Sequence, residues 1–327
     1  MNNLTIALTG AGGPAIPGMV DTLRKGLSKE YNLKILGLDM DPNAIGFFLV
    51  DKGITIPAGN SDEFTQKIKN ICSEEKVDVF ISVVDEELES CLELENQGIK
   101  VIQPEKEFVK LCLDKQKLMQ RMKDESLPYI PTISATDIDF SIIKFPAILK
   151  PRTGRGSRGI SIVHDSEQLK NSIQKSNYSL DNLIIQDFIE GPEFTVSVIV
   201  WRDGKVQNVV PKKIISKIGI TRQAITEYNE KIHTACVNIQ NKLKANGPFN
   251  VQLKLDKNSG EPFIFEINPR FSTSITLTCA AGVDELTGLV LQSLGKEFKL
   301  DNPFKEGVLM YRRMQDIFLN TLTNESI

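Results

Sequence analysis

The spacing of apolar and polar positions changes partway along the chain. Through the first hundred residues, short apolar runs (LTIAL, KILGLD, VDVFISVV, KVI) alternate with stretches of helical period, one after Pro17, one near Asp62–Ser73 and one near Glu86–Gln97. Strand and helix in regular turn predict a doubly wound parallel sheet, because parallel neighbours need a crossover between them. A break falls at Gln103-Pro104. Two short helical stretches follow, Glu105–Cys112 and Asp114–Ser126, the second opened by an aspartate suited to cap free backbone N–H groups. From Tyr129 the strands are rich in Ile and Val and are divided by turns containing glycine or proline: FPAILKP, GISIV, NLIIQDFI, EFTVSVIVW and KVQNVVPKKIIS, with a helix at Ser166–Lys175 and another at Glu227–Leu243. These predict an α+β unit. The tail from Asp284 predicts one or two helices and a closing segment, EGVLMYRRM.

The pair FNVQLKLD and PFIFEINP, joined by Lys257–Glu261, carries the most information. Successive side chains of a strand face opposite ways. Asn250, Gln252 and Lys254 therefore share one face, opposite Phe249, Val251, Leu253 and Leu255; in the next strand Glu266, Asn268 and Arg270 share one face, opposite Phe263, Phe265 and Ile267. An antiparallel turn brings the two polar faces together. A carboxylate, two amide oxygens and a nearby guanidinium suit Mg²⁺ held jointly with phosphate oxygens. The plainer alternative is a half-buried hairpin with a wet polar face. Upstream, Lys150-Pro151-Arg152-Thr153-Gly154-Arg155-Gly156-Ser157-Arg158-Gly159 follows a strand, and its glycines allow backbone N–H groups to approach phosphate. It is no Walker A element, since GxxxxGK[ST] is missing, and alone it equally fits a mobile basic loop.

Composition narrows the classes. With 327 residues, 41% hydrophobic and 25% charged, the chain can bury a substantial core over two or three units. Thirty-nine basic residues against 42 acidic ones leave a formal charge of −3, which argues against a surface built for nucleic acid or anionic lipid. No apolar run reaches 18 residues and the first residues lack a basic leader, so a cytoplasmic protein is expected, with no membrane partner. The five cysteines are odd in number and lack CxxC spacing, and the two histidines, His164 and His233, are too few for a His-based metal cluster; all seven are expected to be structural. One rival remains. Gly10-Ala11-Gly12-Gly13-Pro14-Ala15 after the first strand, with Asp39 after the second, imitates a dinucleotide fingerprint, although Pro14 and Pro17 disturb the approach to the helix. A nicotinamide-dependent dehydrogenase would leave the Lys150 loop and the Glu266 hairpin without a task.

Over about Glu107–Gly295 the chain resembles the ATP-grasp superfamily, in the branch similar to the large subunit of carbamoyl-phosphate synthase, most specifically at GPFNVQLKLD and FIFEINPRFSTS. The resemblance implies an N-terminal doubly wound parallel-sheet (pre-ATP-grasp) domain at residues 1–104, linker helices and a first ATP-grasp lobe at 105–190, and a second lobe with the metal hairpin at 191–327. It implies Gln252, Glu266 and Asn268 as Mg²⁺ ligands, with Mn²⁺ able to substitute, and Arg270 as the cation facing the transferred phosphate. Lys115 and Lys150 match phosphate-binding positions, and Gly154, Gly156, Ser157 and Gly159 the lid over them. Gln186, Asp187, Phe188 and Ile189 match the adenine hinge, where Asp187 departs from the usual glutamate, and Glu193 matches the ribose acceptor. Gly12 and Gly13 are candidate second-substrate contacts. Lys217 is a further candidate from the cationic stretch Lys212, Lys213, Lys217 and Arg222, which otherwise reads as a solvated strand and loop. The implied activity is Mg·ATP-dependent carboxylate–amine ligation through an acyl phosphate, acting on small-molecule carboxylate and amine substrates, with room for a homodimer. A carboxy-phosphate route from bicarbonate and a catalytically silent nucleotide-binding protein are the alternatives.

Overall fold

The computed structural model describes residues 1–156, 158–314, 316, 318–320 and 325–326. The chain begins with β1 (Asn2–Thr9), α1 (Ile16–Leu27), β2 (Tyr31–Asp39), β3 (Lys52–Thr55), α2 (Phe64–Glu74), β4 (Val79–Ile81), α3 (Leu88–Cys91) and β5 (Lys100–Val101). The five strands are parallel in the order β3-β2-β1-β4-β5. Strand order reverses between β1 and β4, so a crevice opens beyond their carboxyl ends, where the Gly10–Pro14 loop and the Asp85-Glu86-Glu87 loop emerge. The helix expected at Glu86–Gln97 is broken into α3 between two 3₁₀ turns.

Two linker helices follow, α4 (Lys106–Leu113) and α5 (Lys115–Asp124). The Asp114 carboxylate caps α5 by accepting the Lys117 N–H at 3.1 Å. A small antiparallel sheet is then built from β6 (Thr132–Ser134), β7 (Ala147–Pro151), β8 (Ser161–Val163) and, after α6 (Ser166–Gln174), β9 (Leu183–Asp187), in the order β6-β9-β7-β8. Next come β10 (Glu193–Val200), β11 (Val206–Ile218), β12 (Ile220–Thr226), α7 (Glu230–Leu243), β13 (Phe249–Leu255), β14 (Pro262–Asn268), α8 (Ile275–Ala280), α9 (Glu285–Ser293) and β15 (Leu309–Tyr311). Their strands form a large antiparallel sheet ordered β14-β13-β10-β11-β12-β15.

The large sheet has one apolar face. Phe194, Val196, Val198, Phe249, Val251, Leu253, Ile264 and Ile267 pack there against Phe108 and Cys112 of α4, Leu118 and Met122 of α5, and Ile232 and Ile239 of α7. Thus α4 and α5 pack on the second lobe although they precede the first in sequence. The N-terminal domain joins the same lobe through α1, which lies on α8 and α9. A Cβ at Gly18 would sit 2.2 Å from Thr276 Cγ2, and one at Gly26 would sit 2.4 Å from Thr287 Oγ1, so glycine at both positions permits the close approach. The small sheet packs Ala147, Leu149, Val163, Leu183 and Ile185 on Leu169 of α6. Its opposite face is free to build a site. Among the described residues no helix is long and apolar enough to cross a membrane.

Two expectations need correction. The alternation assigned Phe265 to the core, but the β13–β14 register shifts between Gln252 and Leu253; Ile264 takes the core position and Phe265, half-buried, lines the main cavity. Lys212, read as solvated, is fully buried on the polar face of the large sheet; its Nζ donates to Ser197 Oγ at 2.8 Å and Thr278 Oγ1 at 2.9 Å, close to the buried Glu285.

Candidate active site

A cavity of about 630 Å³ lies between the free face of the small sheet and the polar face of the large one. Ile148 and Lys150 on β7, with Ile162 on β8 and Gln186 on β9, form one wall; Glu193, Gln252, Lys254 and Glu266 form the floor. The ladder fixes that floor, pairing Glu193 with Lys254, Thr195 with Gln252, and Gln252 with Glu266. Directly opposed residues of a ladder share a face. Of the residues expected to bind nucleotide or metal, Lys115, Lys150, Gly154, Gly156, Gln186, Phe188, Ile189, Glu193, Gln252 and Glu266 line the cavity, as does the candidate substrate contact Lys217. Gly159, Asp187, Asn268 and Arg270 do not belong to its wall, and Ser157 lies outside the described residues.

Charge is concentrated at one end. Lys115 Nζ stands 3.1 Å from Glu266 Oε1 and donates to the Gly154 carbonyl at 2.6 Å, joining linker helix, β13–β14 hairpin and glycine loop. Lys150 Nζ donates to the Phe265 carbonyl at 3.2 Å and lies 5.4 Å from the centre of that ring. Burial pushes the Lys150 ammonium down to about 8, against the opposing pull of Glu266. A bound phosphate would restore the protonated form, so above pH 8 the free protein must take up a proton on binding. Nucleotide affinity is therefore expected to be flat below pH 8 and to fall by up to about tenfold per pH unit above it. Isothermal titration with Mg·ATP from pH 7 to 9.5 checks this, and Lys150→Met removes the slope. At the other end Lys217 Nζ donates to Glu193 Oε1 at 2.9 Å, so Glu193 is engaged by a neighbouring cation.

The donor set fits Mg²⁺ shared with phosphates. Glu266 and Gln252 oppose each other across the ladder, as do Asn250 and Asn268, and together they offer one carboxylate and amide oxygens. Among the described residues no three His, Cys, Asp or Glu side chains cluster as a metal cage. An ion here needs substrate oxygens to complete its shell, which is the habit of Mg²⁺.

Arg270 is buried beyond the hairpin. Its Nη2 donates to Asn268 Oδ1 at 3.3 Å, and its Nε donates to Asp85 Oδ1 at 2.5 Å, across the boundary with the N-terminal domain. Burial disfavours its charge, yet Asp85 outweighs this and holds the guanidinium above its usual range. The sequence reading missed Asp85 and its neighbour Glu86, which pairs with Arg155 of the lid at 2.8 Å. Their signal was positional, three consecutive acids directly beyond the carboxyl end of a parallel strand. Gly12 and Gly13 lie in the loop after β1. The Gly12 N–H donates to Asp39 Oδ2 at 2.7 Å and the Gly13 N–H to the Gly10 carbonyl at 2.7 Å. Asp39 thus holds its own loop, the part of a strand-end acid.

Parts of the chain match models of known families. Residues 179–316 match a family model described as ATP-grasp in the biosynthetic pathway with Ter operon, residues 134–222 match the D-ala D-ala ligase C-terminus, and residues 6–102 match the PylC-like N-terminal domain. The carbamoyl phosphate synthase large chain of Agathobacter rectalis is 25% identical over 282 residues, covering 77% of this chain and 26% of the relative. That of Clostridium beijerinckii is 30% identical over 209 residues, covering 58% and 19%. The chain therefore spans about a quarter or less of the length of these relatives. Among solved structures, biotin carboxylase from Campylobacter jejuni superposes with a TM-score of 0.73 at 18% identity, covering 92% of this chain and 73% of that one. N5-carboxyaminoimidazole synthetase from Staphylococcus aureus, complexed with ADP, gives 0.74 at 17% identity, covering 95% and 83%. Over residues 179–316 the chain is similar to ATP-grasp proteins. Its curated relatives include carbamoyl phosphate synthase large chains, to which it is similar over 58–77% of its own length.

Proposed function

We propose that the chain is a Mg·ATP-dependent ligase that phosphorylates a small-molecule carboxylate and joins the resulting acyl phosphate to an amine, releasing ADP and phosphate. The observation that carries this reading is the convergence of Lys115, Lys150 and the Glu266–Gln252 pair at one end of a single cavity, beneath Gly154 and Gly156. Mg²⁺, when bound, neutralises phosphate charge and aligns the transferred group. The protein's own side chains do the rest. Lys115 and Lys150 hold phosphate oxygens, the lid glycines bring backbone N–H groups close, and the apolar wall at Ile148, Ile162 and Phe188 takes the base. Arg270, steadied by Asp85, stabilises charge developing at the acceptor end. The amine then attacks the acyl carbon, the C–O bond to phosphate breaks, and the amine's proton leaves to solvent.

The test is ADP and phosphate release with Mg·ATP over pooled carboxylates and amines, followed by mass measurement of the coupled product. Nucleotide turnover that depends on one carboxylate and one amine supports the proposal; its absence across the pools, with ATP bound, would point to a nucleotide-binding protein without catalysis. Bicarbonate belongs among the carboxylates, since the curated relatives named above are carbamoyl phosphate synthase chains.

A further inference from the structure

Arg222 on β12 and Arg312, one residue beyond β15, oppose each other at the far side of the large sheet. Gln223 pairs with Tyr311, and one step further the Arg312 N–H donates to the Arg222 carbonyl at 2.8 Å, so the two side chains share a face. That face is the polar one, because Thr226, two alternations along β12, is paired with Lys212. The Arg312 guanidinium donates to three carbonyls, Thr221 at 3.1 Å, Pro14 at 2.7 Å and Thr273 at 2.8 Å. All three are neutral. Arg222 has less: its Nε is buried without an acceptor, and its terminal nitrogens, which also find none among the described residues, stay open to solvent.

No carboxylate among the described residues pairs with either arginine, whereas Arg152, Arg202 and Arg270 each meet one, Asp114 at 2.7 Å, Glu95 at 2.8 Å and Asp85 at 2.5 Å. Like charges opposed in a ladder repel. Burial, and after it the Arg222 charge, holds the Arg312 guanidinium below its ordinary value. Two facing cations without an anion, beside the Gly10–Pro14 loop where the N-terminal crevice opens, form a ready place for an oxyanion. The phosphates of a nucleotide held at Lys115, Lys150 and Glu266 would not fill it. Neither arginine belongs to the wall of the main cavity, and β12 lies four strands from β14, about 19 Å at the usual spacing.

We infer that Arg222 and Arg312 bind a second anionic group, a carboxylate or a phosphate ester, carried by one of the two substrates at a distance from its reacting group. The inference rests on the ligase reading above and narrows its substrates to those that bear such a group. Inorganic phosphate, titrated into protein saturated with Mg²⁺ and a non-hydrolysable ATP analogue, probes the site directly. Wild-type protein should bind it in the millimolar range, and Arg222→Gln should weaken it about tenfold while affinity for the analogue stays the same. Arg222→Lys, which keeps the charge and loses the planar fork, should weaken it about threefold and decides the matter should Arg222→Gln fail to fold. The pooled carboxylates and amines are then sorted into members with an additional carboxylate, members with a phosphate ester, and members with neither. ADP release should come from one of the first two sets, which tells the two sources apart, and Arg222→Gln should raise KM for that substrate about tenfold with KM for ATP unchanged. Phosphate that does not bind, or that binds both variants as it binds the wild type, overturns the inference. So does turnover of the uncharged set as fast as any other, with the ligase reading left standing. Phosphate held through Arg222 with no turnover from any set keeps the anion site and overturns the ligase reading.

Discussion

Replacing Glu266 with glutamine is expected to lower Mg²⁺-dependent ADP release by about 10²- to 10³-fold, the usual effect of removing one preorganised charge contact from a phosphoryl-transfer site. Glu266 is the carboxylate of the proposed donor set, and Gln252 and Asn268 can offer only neutral amide oxygens beside it. The substitution keeps the side chain's volume and one oxygen. Lys115 retains the Gly154 carbonyl at 2.6 Å, and the Glu266 side chain is 19% exposed, so the ammonium is not left alone in a dry interior. The melting temperature should therefore stay close to that of the wild type while turnover collapses. Initial rates of ADP release under saturating Mg²⁺, with a thermal melt on the same sample, separate the two effects. Wild-type rates in Glu266→Gln would remove this carboxylate from the chemistry; a large loss of melting temperature would make it structural.

That site was legible where the signal was local. Gln252 and Glu266 stand out because period-two alternation places polar side chains on one face of each strand, and a five-residue turn leaves little choice of pairing. Lys150 and the glycine loop stand out for the same reason, as a strand end followed by residues that free the backbone. What alternation cannot register is an inserted residue. The bulge at Phe265 exchanges the roles of two neighbouring apolar side chains, and nothing in PFIFEINP distinguishes a regular strand from a bulged one. Long-range pairs were hidden altogether. Arg270 and Asp85 are separated by 185 positions, and their meeting depends on how the N-terminal domain seats on the second lobe. The fold class was readable because alternating strands and helices admit few topologies. The side on which α4 and α5 pack was not, since an apolar helix face suits either lobe and only the completed large sheet offers an uncovered one.

Lys212 was misread for a related reason, and it gives the second large effect. Among the cations of PKKIISKIGITRQ it resembles its neighbours, yet it faces Glu285, more than seventy positions later, in a fully buried cluster with Ser197 and Thr278. Burial pushes the Lys212 ammonium down to about 8, with Glu285 pulling the other way, and burial raises the Glu285 carboxyl in turn. Neither charge is tolerable there without the other. Glu285→Leu is expected to destabilise the protein by about 3–5 kcal/mol, because without the carboxylate Lys212 must either stay charged in the interior beside two hydroxyls or give up its proton on folding. Lys212→Met should cost less, since Glu285 can take a proton. The double variant Lys212→Met/Glu285→Leu should be more stable than Glu285→Leu alone, a large non-additivity of the kind seen when a buried ion pair is replaced as a unit. Thermal and urea melts of the four proteins measure it. The pair lies between β10, β11 and the helices α8 and α9, away from the cavity wall, so Mg·ATP affinity measured below the melting transition should not change across the set. Additive losses would mean that Lys212 and Glu285 are not coupled, and a shifted affinity would tie this cluster to the floor on which Gln252 and Glu266 stand.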